Sequence, residues 1–394
     1  MEAIPVLFAN KEDCCGCGAC LNICPKQAIT MKEDEYGFLY PLIDENKCLR
    51  CGQCKKVCAF QHREETNEPI ACYAAISGNT EQASKSASAG IFAAIAEKVI
   101  VDGGVVYGAA FSKNWAVHHV KAETPQDLIA LQGSKYAHSN IERTFSETKK
   151  DLLEGRQVLF SGTPCQIAGL YEFLGRDYDN LITVDIVCHG VPNVRMLQDY
   201  LKTIEDKYGG RITAFTFRDK SIGWGINGSA VINDKRIRIW QSSSSYLYYF
   251  TRGWLYRENC YKCKYTCEHR PADITLGDYW GIEKQHPELL GKGGWDENRG
   301  ISCVIVNTDK GKGIINGANL QLKNSSFIQI AEGNRQLREP SQPGMRVEIM
   351  KFYKSGGWAA LDKRFGQRIG VHKYTSQMKA LIPTVIKRRL KRGL

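Results

Sequence analysis

Two four-cysteine runs near the start of the chain restrict what it can fold into more than any other feature. The first is Cys14-x2-Cys17-x2-Cys20-x3-Cys24-Pro25, and about 34 residues later comes Cys48-x2-Cys51-x2-Cys54-x3-Cys58. Nine of the sixteen cysteines fall before residue 62. The opening MEAIPVLFAN has neither a basic n-region nor a long apolar stretch, and no apolar run reaches the roughly 18 to 20 residues of a membrane-spanning helix. A cytoplasmic chain is therefore expected. Thiols stay reduced there, so this density of cysteine points to metal or redox chemistry and not to a disulfide framework.

Gaps of two residues let one tight loop wrap three thiolates around three irons of a cubane, and the fourth cysteine of each run crosses to the neighbouring cluster, as in bacterial two-cluster ferredoxins. One [4Fe-4S] cluster then takes Cys14, Cys17, Cys20 and Cys58, and the other Cys48, Cys51, Cys54 and Cys24. Zinc sites pair their cysteines across longer loops, which this spacing does not suit. Ala59 stands where a second proline is usual and Cys15 adds a thiol, but no ligand is missing. Lys11, Lys47, Lys55 and Lys56 read as balancing the negative charge of the clusters.

The formal charge of +11 suggests a nucleic-acid partner until it is located. Residues 371–394 hold seven Lys or Arg and no acid, leaving +4 on the rest. No nucleic-acid function is expected. The tail places apolar residues before a basic cluster, which suits either a solvated terminus or a short interfacial helix on anionic lipid at the inner face of the membrane.

Polar residues His62–Pro69 mark a boundary, after which apolar stretches of strand and helix character alternate. Strands are expected at Ala71–Ser77, Val105–Phe111, Ala116–Ala122, Gln157–Phe160, Leu181–Val187, Arg211–Phe217, Ala230–Trp240 and Ile301–Asn307, the last followed by a Lys-Gly-Lys-Gly turn into a helix. Helices are expected at Gly90–Ile100, Ser139–Leu153 and Gln166–Leu174. The class is thus α+β or α/β: a small ferredoxin-like two-cluster domain over 1–65, a mixed α/β flavin-binding domain over 70–310, an extension of it over 311–370, and the basic tail.

A further run, Cys260-x2-Cys263-x3-Cys267, joins Cys165 and Cys188, each at the end of an apolar strand candidate. Any four of these five thiols could hold a third [4Fe-4S] cluster; zinc and buried reduced thiols are the competing readings. The order of gaps is the reverse of that in radical S-adenosylmethionine enzymes. Loops of small residues at Ser84–Gly90, Gly103-Gly104, Gly133–Tyr136 and Ser161–Pro164 suit close approach of backbone N–H groups to a phosphate, whereas neither a dinucleotide Gly-x-Gly-x-x-Gly nor a P-loop is present. Clusters pass one electron and organic donors give two, and a flavin is the usual converter.

The chain resembles the coenzyme F420 hydrogenase/dehydrogenase beta subunits over about Ala71 to Asn307, plus a fused ferredoxin module. The resemblance is carried by Lys85-Ser-Ala-Ser-Ala-Gly90-Ile-Phe, Gly133-Ser-Lys-Tyr136, Ser161-Gly-Thr-Pro-Cys-Gln166, Cys188-His-Gly-Val-Pro192, Phe217-Arg-Asp-Lys220 with Gly223-Trp224, Cys260-Tyr-Lys-Cys263 and Ala272-Asp-Ile-Thr-Leu-Gly-Asp-Tyr-Trp-Gly281. It implies FAD and a [4Fe-4S] cluster that move electrons between the deazaflavin F420 and iron-sulfur partners. By position, it implies Cys165, Cys188, Cys260 and Cys263 as ligands of the third cluster and leaves Cys267 spare. Ala89 stands where a second glycine is common.

The expected flavin contacts are Ser86, Ser88, Gly90, Gly133, Ser134, Lys135, Tyr136, Thr163, Pro164 and Gln166; Lys220, Arg218 and His189 are the expected catalytic groups, with His189 a proton relay. Asp273 and Asp278 either cap backbone N–H groups or orient Lys220 or the flavin, while His118, His119 and His138 are structural. The function expected is an oxidoreductase that exchanges a hydride with a small carrier and single electrons with an iron-sulfur partner protein. The alternatives are a non-catalytic electron-transfer subunit, and a flavin-dependent reductase of cell-surface polysaccharide synthesis.

Overall fold

A computed structural model of the chain describes residues 3–62, 66–291 and 294–370. The expectations for the basic tail lie outside the described residues. The N-terminal module holds α1 (Ala19–Ile23), the hairpin β1 (Ile29–Glu33) and β2 (Leu39–Ile43), α2 (Gln53–Lys56) and α3 (Ala59–His62). Beyond the linker come β3 (Ala71–Ser77), α4 (Thr80–Lys85), α5 (Ile91–Val101), β4 (Val105–Phe111), β5 (Val117–Ala122), α6 (Pro125–Leu131), α7 (Thr144–Leu153), β6 (Val158–Gly162), α8 (Pro164–Leu174), β7 (Leu181–Ile186) and α9 (Val194–Tyr208). The chain continues through β8 (Ile212–Thr216), β9 (Gly228–Ile232), β10 (Lys235–Ile239), α10 (Ser245–Thr251), β11 (Ile274–Asp278), α11 (Ile282–Gln285), β12 (Ser302–Val306), α12 (Asp309–Gly317), β13 (Leu320–Ser325), α13 (Phe327–Gly333) and α14 (Arg346–Ile369). Helix α14 is broken at Gly356-Gly357, and its second half folds back along the first, so that Arg364 pairs with Glu348 and Arg368 reaches Met345.

The central sheet has eight strands in the order β13-β3-β12-β11-β7-β6-β4-β5. Strands β4, β6, β7 and β11 run parallel, and antiparallel pairs flank them on both sides, so the sheet is mixed. Alternate residues of a strand point to opposite faces. Val106 packs with Ile91, Ile95 and Val99 of α5 on one face, and Val105 and Tyr107 pack with Phe145 of α7 and Ile167 and Leu170 of α8 on the other. The second face also takes Cys15, Cys17, Ala19 and Val57 of the N-terminal module into the same core. The 1–65 segment therefore shares its interior with the rest of the chain.

Three local expectations differ from the structure. Ala230–Trp240 is a hairpin, because Asn233 and Asp234 both adopt positive φ (48° and 59°) and turn the chain between β9 and β10. The Lys-Gly-Lys-Gly stretch lies inside α12, whose N-terminus is capped by the Thr308 side chain accepting from Gly311 N. The helix expected from Ser139 starts at Thr144, because Asn140 bridges to His118 and Gln166 Nε2 donates to Ser139 O.

Candidate functional site

The parallel strands deliver Ser161 and Gly162 (β6), Ile186 (β7) and Leu276, Gly277 and Asp278 (β11) to one edge of the sheet, where an open cleft of about 1690 Å³, mouth included, runs over their C-terminal ends. Three of the small-residue loops reach this cleft: Ser86, Ser88 and Gly90 before α5, Gly133 to Tyr136 after α6, and Thr163 with Gln166 at the start of α8. Pro164 does not line it; it is buried at the first position of α8, where its fixed φ suits the helix start. Gly103-Gly104 lies elsewhere. Gly90 adopts φ +84°, and a Cβ there would stand 2.9 Å from Ala83 Cα. A larger residue at 90 thus collides with α4 and strains the backbone, and does not intrude into the cleft.

The expected catalytic groups separate. Arg218 lines the cleft, with Nη1 and Nη2 donating to Asp278 Oδ2 (2.7 Å) and Oδ1 (3.0 Å), while Trp224 Nε1 donates to Oδ1 at 2.7 Å. Asp278 thus orients Arg218. Lys220 is not in the lining: its Nζ donates to the Ala83 (2.6 Å) and Ser88 carbonyls, so it holds the Ser86–Gly90 loop from behind. Asp273 accepts from Thr183 N, Thr183 Oγ1 and Thr308 Oγ1, the backbone-capping arrangement. His189 lines the cleft beside Cys188. The Tyr256 hydroxyl donates to Phe250 O at 2.5 Å, so its oxygen accepts from His189 Nδ1–H, and burial holds the imidazole pKa down at about 4. The ring is neutral at pH 7 with Nε2 as its acceptor. His119, read as structural, bonds Ser139 Oγ and Ser161 O and also lines the cleft wall.

The thiols gather in three sets. Cys14, Cys17, Cys20 and Cys58 line one small cavity, joined by Cys15 and Cys54, and Cys24, Cys48, Cys51 and Cys54 line another. Hydrogen bonds point at the sulfurs: Ala28 N to Cys24 Sγ (3.3 Å), Arg50 N to Cys48 Sγ (3.4 Å) and Gln61 Nε2 to Cys58 Sγ (3.3 Å). Cys188, which lines the cleft, lies among Cys165, Cys260 and Cys263 behind it, and burial, then Cys165 and Cys263, push its thiol up to about 12. A half-buried, mutually repelling set of four thiols suits a multi-iron cation more than free thiolates. Cys267 instead donates to the Lys264 and His269 carbonyls. Among the described residues no three His, Cys, Asp or Glu side chains converge on a single metal ion.

Two buried arginines escaped the sequence reading. Arg257, 1% exposed, donates Nε to Cys14 O (2.8 Å) and Nη1 to Leu39 O (2.7 Å), and stacks over Tyr40 at 3.9 Å. It is the cation beside Cys14, whereas Lys11 is occupied by Asp34 and Glu35 at 2.7 and 2.8 Å. Arg270 pairs with Asp185 at 3.0 Å and also donates to the Ile186 and Tyr265 carbonyls. Their partners are remote in sequence, and no local pattern marks them.

Helix α8 links two of the thiol sets. It carries Cys165 in its first turn, and a Cβ on Gly169 would lie 2.7 Å from Cys17 Sγ and 2.9 Å from Cys17 Cβ. Alanine at 169 gains about 1 kcal/mol of helix propensity but forces a backbone shift of about 1–3 kcal/mol. Gly169→Ala is expected to be net destabilising by urea unfolding and to lower the iron content; a stabilised variant with full iron would remove this contact from the account.

Residues 155–326 match the family described as the C terminus of the beta subunit of coenzyme F420 hydrogenase/dehydrogenase, and residues 13–62 match the 4Fe-4S dicluster domain. A coenzyme F420-dependent sulfite reductase of Methanocaldococcus jannaschii is 22% identical over 381 residues, covering 89% of this chain and 54% of its own length. An uncharacterized ferredoxin of the same organism is 35% identical over 52 residues, 13% of this chain and 66% of its own length. The chain thus spans about half the length of the first of these curated relatives. A chain of the F420-reducing [NiFe] hydrogenase complex from Methanosarcina barkeri aligns with TM-score 0.44 and 16% identity, covering 76% of this chain and 93% of that one. No helix among the described residues is long and apolar enough to cross a membrane. Residues 13–62 are thus a 4Fe-4S dicluster domain, and residues 155–326, which carry Cys165, Cys188, Cys260 and Cys263 and part of the cleft wall, match the C-terminal family of the coenzyme F420 hydrogenase/dehydrogenase beta subunit.

Proposed function

We propose that the chain is an iron-sulfur flavoprotein oxidoreductase that exchanges a hydride with a small carrier of the F420 type and single electrons with an iron-sulfur partner protein. The carrying observation is that three small-residue loops line one cleft together with Cys188, which belongs to a set of four neighbouring thiols. The part of it open to a solvent-sized sphere, about 350 Å³, lies within the roughly 300–1,000 Å³ of a ligand site. Buried polar atoms in its wall, Gln132 Oε1 and Arg218 Nε, have no partner among the described residues, as expected of groups that await a ligand. The fit to FAD is through Ser86, Ser88 and Gly90 at the start of α5, Gly133 to Tyr136, and Thr163 with Gln166; Cys165, Cys188, Cys260 and Cys263 would hold the third cluster. Flavin and clusters together supply the conversion of a two-electron hydride into single electrons. The sulfite reductase relative depends on coenzyme F420, which supports F420 as the carrier here. Reduced F420 is expected to bleach both flavin and cluster absorbance of the anaerobic protein. Bound flavin that F420H2 leaves oxidised would overturn this choice of carrier, and absence of flavin after reconstitution would favour a non-catalytic electron-transfer role.

Lys135 gives the cleft a pH dependence. Its Nζ donates to the Ala130 and Gln132 carbonyls at 2.8 Å, and burial brings its pKa down to about 7. The depressed value means that this group destabilises the fold fully below about pH 7, and the effect fades as pH rises toward its unfolded value near 10.4. A diphosphate beside it stabilises the charged form, so affinity should be highest below pH 7 and fall by up to about tenfold per pH unit above it. Flavin titrations from pH 6 to 9 check this: Lys135→Met should bind weakly and lose the slope, and an unchanged slope would place the diphosphate elsewhere.

A further inference from the structure

The two thiol sets of the N-terminal module are not equivalent. The set with Cys14 and Cys17 faces inward: Cys15 and Cys17 are buried, Cys17 rests on α8, and Arg257 closes over Cys14. The set with Cys24, Cys48, Cys51 and Cys54 faces out. Cys51 is exposed, and Pro25, Lys26, Leu49 and Gln53, which line the same cavity, are exposed around it, Leu49 by 60%.

Charge is uneven on this face. Lys26, Lys47, Arg50, Lys55 and Lys56 stand in the segments that form it against Asp44 and Glu45, and Asp44 pairs with Lys47 at 3.5 Å. Lys26, Lys55 and Lys56 are exposed and have no ion pair among the described residues. An apolar centre around an exposed ligand with an excess of positive charge about it is the anatomy of a transient, electrostatically steered interface.

We propose that this face, centred on Cys51 and Leu49 and rimmed by Lys26, Lys55 and Lys56, is the docking site of an acidic one-electron carrier protein. The proposal rests on the electron-transfer reading above and adds the surface and the charge of the partner. The set facing Arg257 and α8 is then the inward end of the module, and the Cys51 set its outlet. Charge complementarity selects the occupant, because cations around the outlet raise the encounter rate of an anionic partner and disfavour a basic one.

The test uses the full-length reconstituted protein, a plant-type [2Fe-2S] ferredoxin of strongly acidic charge as the probe, and the triple variant Lys26→Glu, Lys55→Glu, Lys56→Glu. Stopped-flow electron exchange and calorimetric binding are measured from about 20 to 500 mM salt. Wild type should bind and exchange fast at low salt and lose both as salt rises. The variant should exchange at least about tenfold more slowly at low salt and converge with wild type at high salt, where the Debye length is only a few ångströms. Equal rates and affinities for both proteins at low salt would overturn the proposal. So would salt-sensitive retention on phosphatidylserine vesicles that the variant alone loses while its exchange with ferredoxin is unchanged, which would assign the face to a lipid surface. Iron content and exchange with methyl viologen should be the same in both proteins; a wild type that fails to exchange even with methyl viologen marks failure of the electron-transfer reading itself.

Discussion

Replacing Arg270 by Met is expected to cost about 3–5 kcal/mol of stability and to release the loop that carries Cys263. Asp185 and Arg270 are both almost completely buried, and the guanidinium also satisfies the Ile186 and Tyr265 carbonyls. Removing it leaves a carboxylate in the interior that burial already pushes upward in pKa. A carboxyl whose folded pKa is raised stabilises the fold at low pH and loses that contribution as pH rises. Arg270→Met should therefore be hurt more at pH 8 than at pH 5, and adding Asp185→Asn should recover part of the loss. Denaturant unfolding at both pH values reads this directly, and a pH-independent loss would mean that Asp185 is not the stranded group.

Replacing Arg257 by Met should detach the inner part of the N-terminal module. Two partly buried carbonyls, on Cys14 and Leu39, would lose charged donors at about 1–3 kcal/mol each, and the stacking on Tyr40 adds up to about 2 kcal/mol. Relief from burying the guanidinium offsets part of this, so a net loss of about 3 kcal/mol is expected. The reduction potential of the adjoining cluster should fall as well, because a nearby positive charge favours the more negative reduced state. Arg257→Lys should keep more of the potential than of the stability, since an ammonium has the charge but not the planar fork. Limited proteolysis at the 62–70 linker and potentiometric titration separate the two effects; a variant with wild-type resistance and potential would contradict both.

Local chemistry was legible in the sequence where a few adjacent residues decide it. The Cys-x2-Cys-x2-Cys-x3-Cys runs form two thiol-lined cavities, and Val105–Phe111 and Ala71–Ser77 are strands because their apolar runs are short and bounded by turn residues. The hairpin at Asn233-Asp234 was missed because apolar residues on both sides read as one strand, although this dipeptide tolerates positive φ. What the sequence could not give is long-range. Lys220 was expected at the reacting atoms and supports a loop 132 residues away, and Arg257 reaches Cys14 across 243 positions. The polar linker after Gln61 suggested a separable module, yet Cys15, Cys17, Ala19 and Val57 complete a core built by α7 and α8. Only the packed chain reveals that dependence.

The central claim is that the floor of the cleft holds a third cluster beneath a flavin, in series with the two of the N-terminal module. Anaerobic reconstitution with iron, sulfide and FAD, followed by iron and flavin analysis of wild type and Cys263→Ser, tests it most directly. About twelve iron and one flavin per chain are expected for wild type, by four irons for each cluster, and about eight iron with flavin retained for the variant. A wild type that never exceeds about eight iron, or a variant that keeps all twelve, would contradict the account.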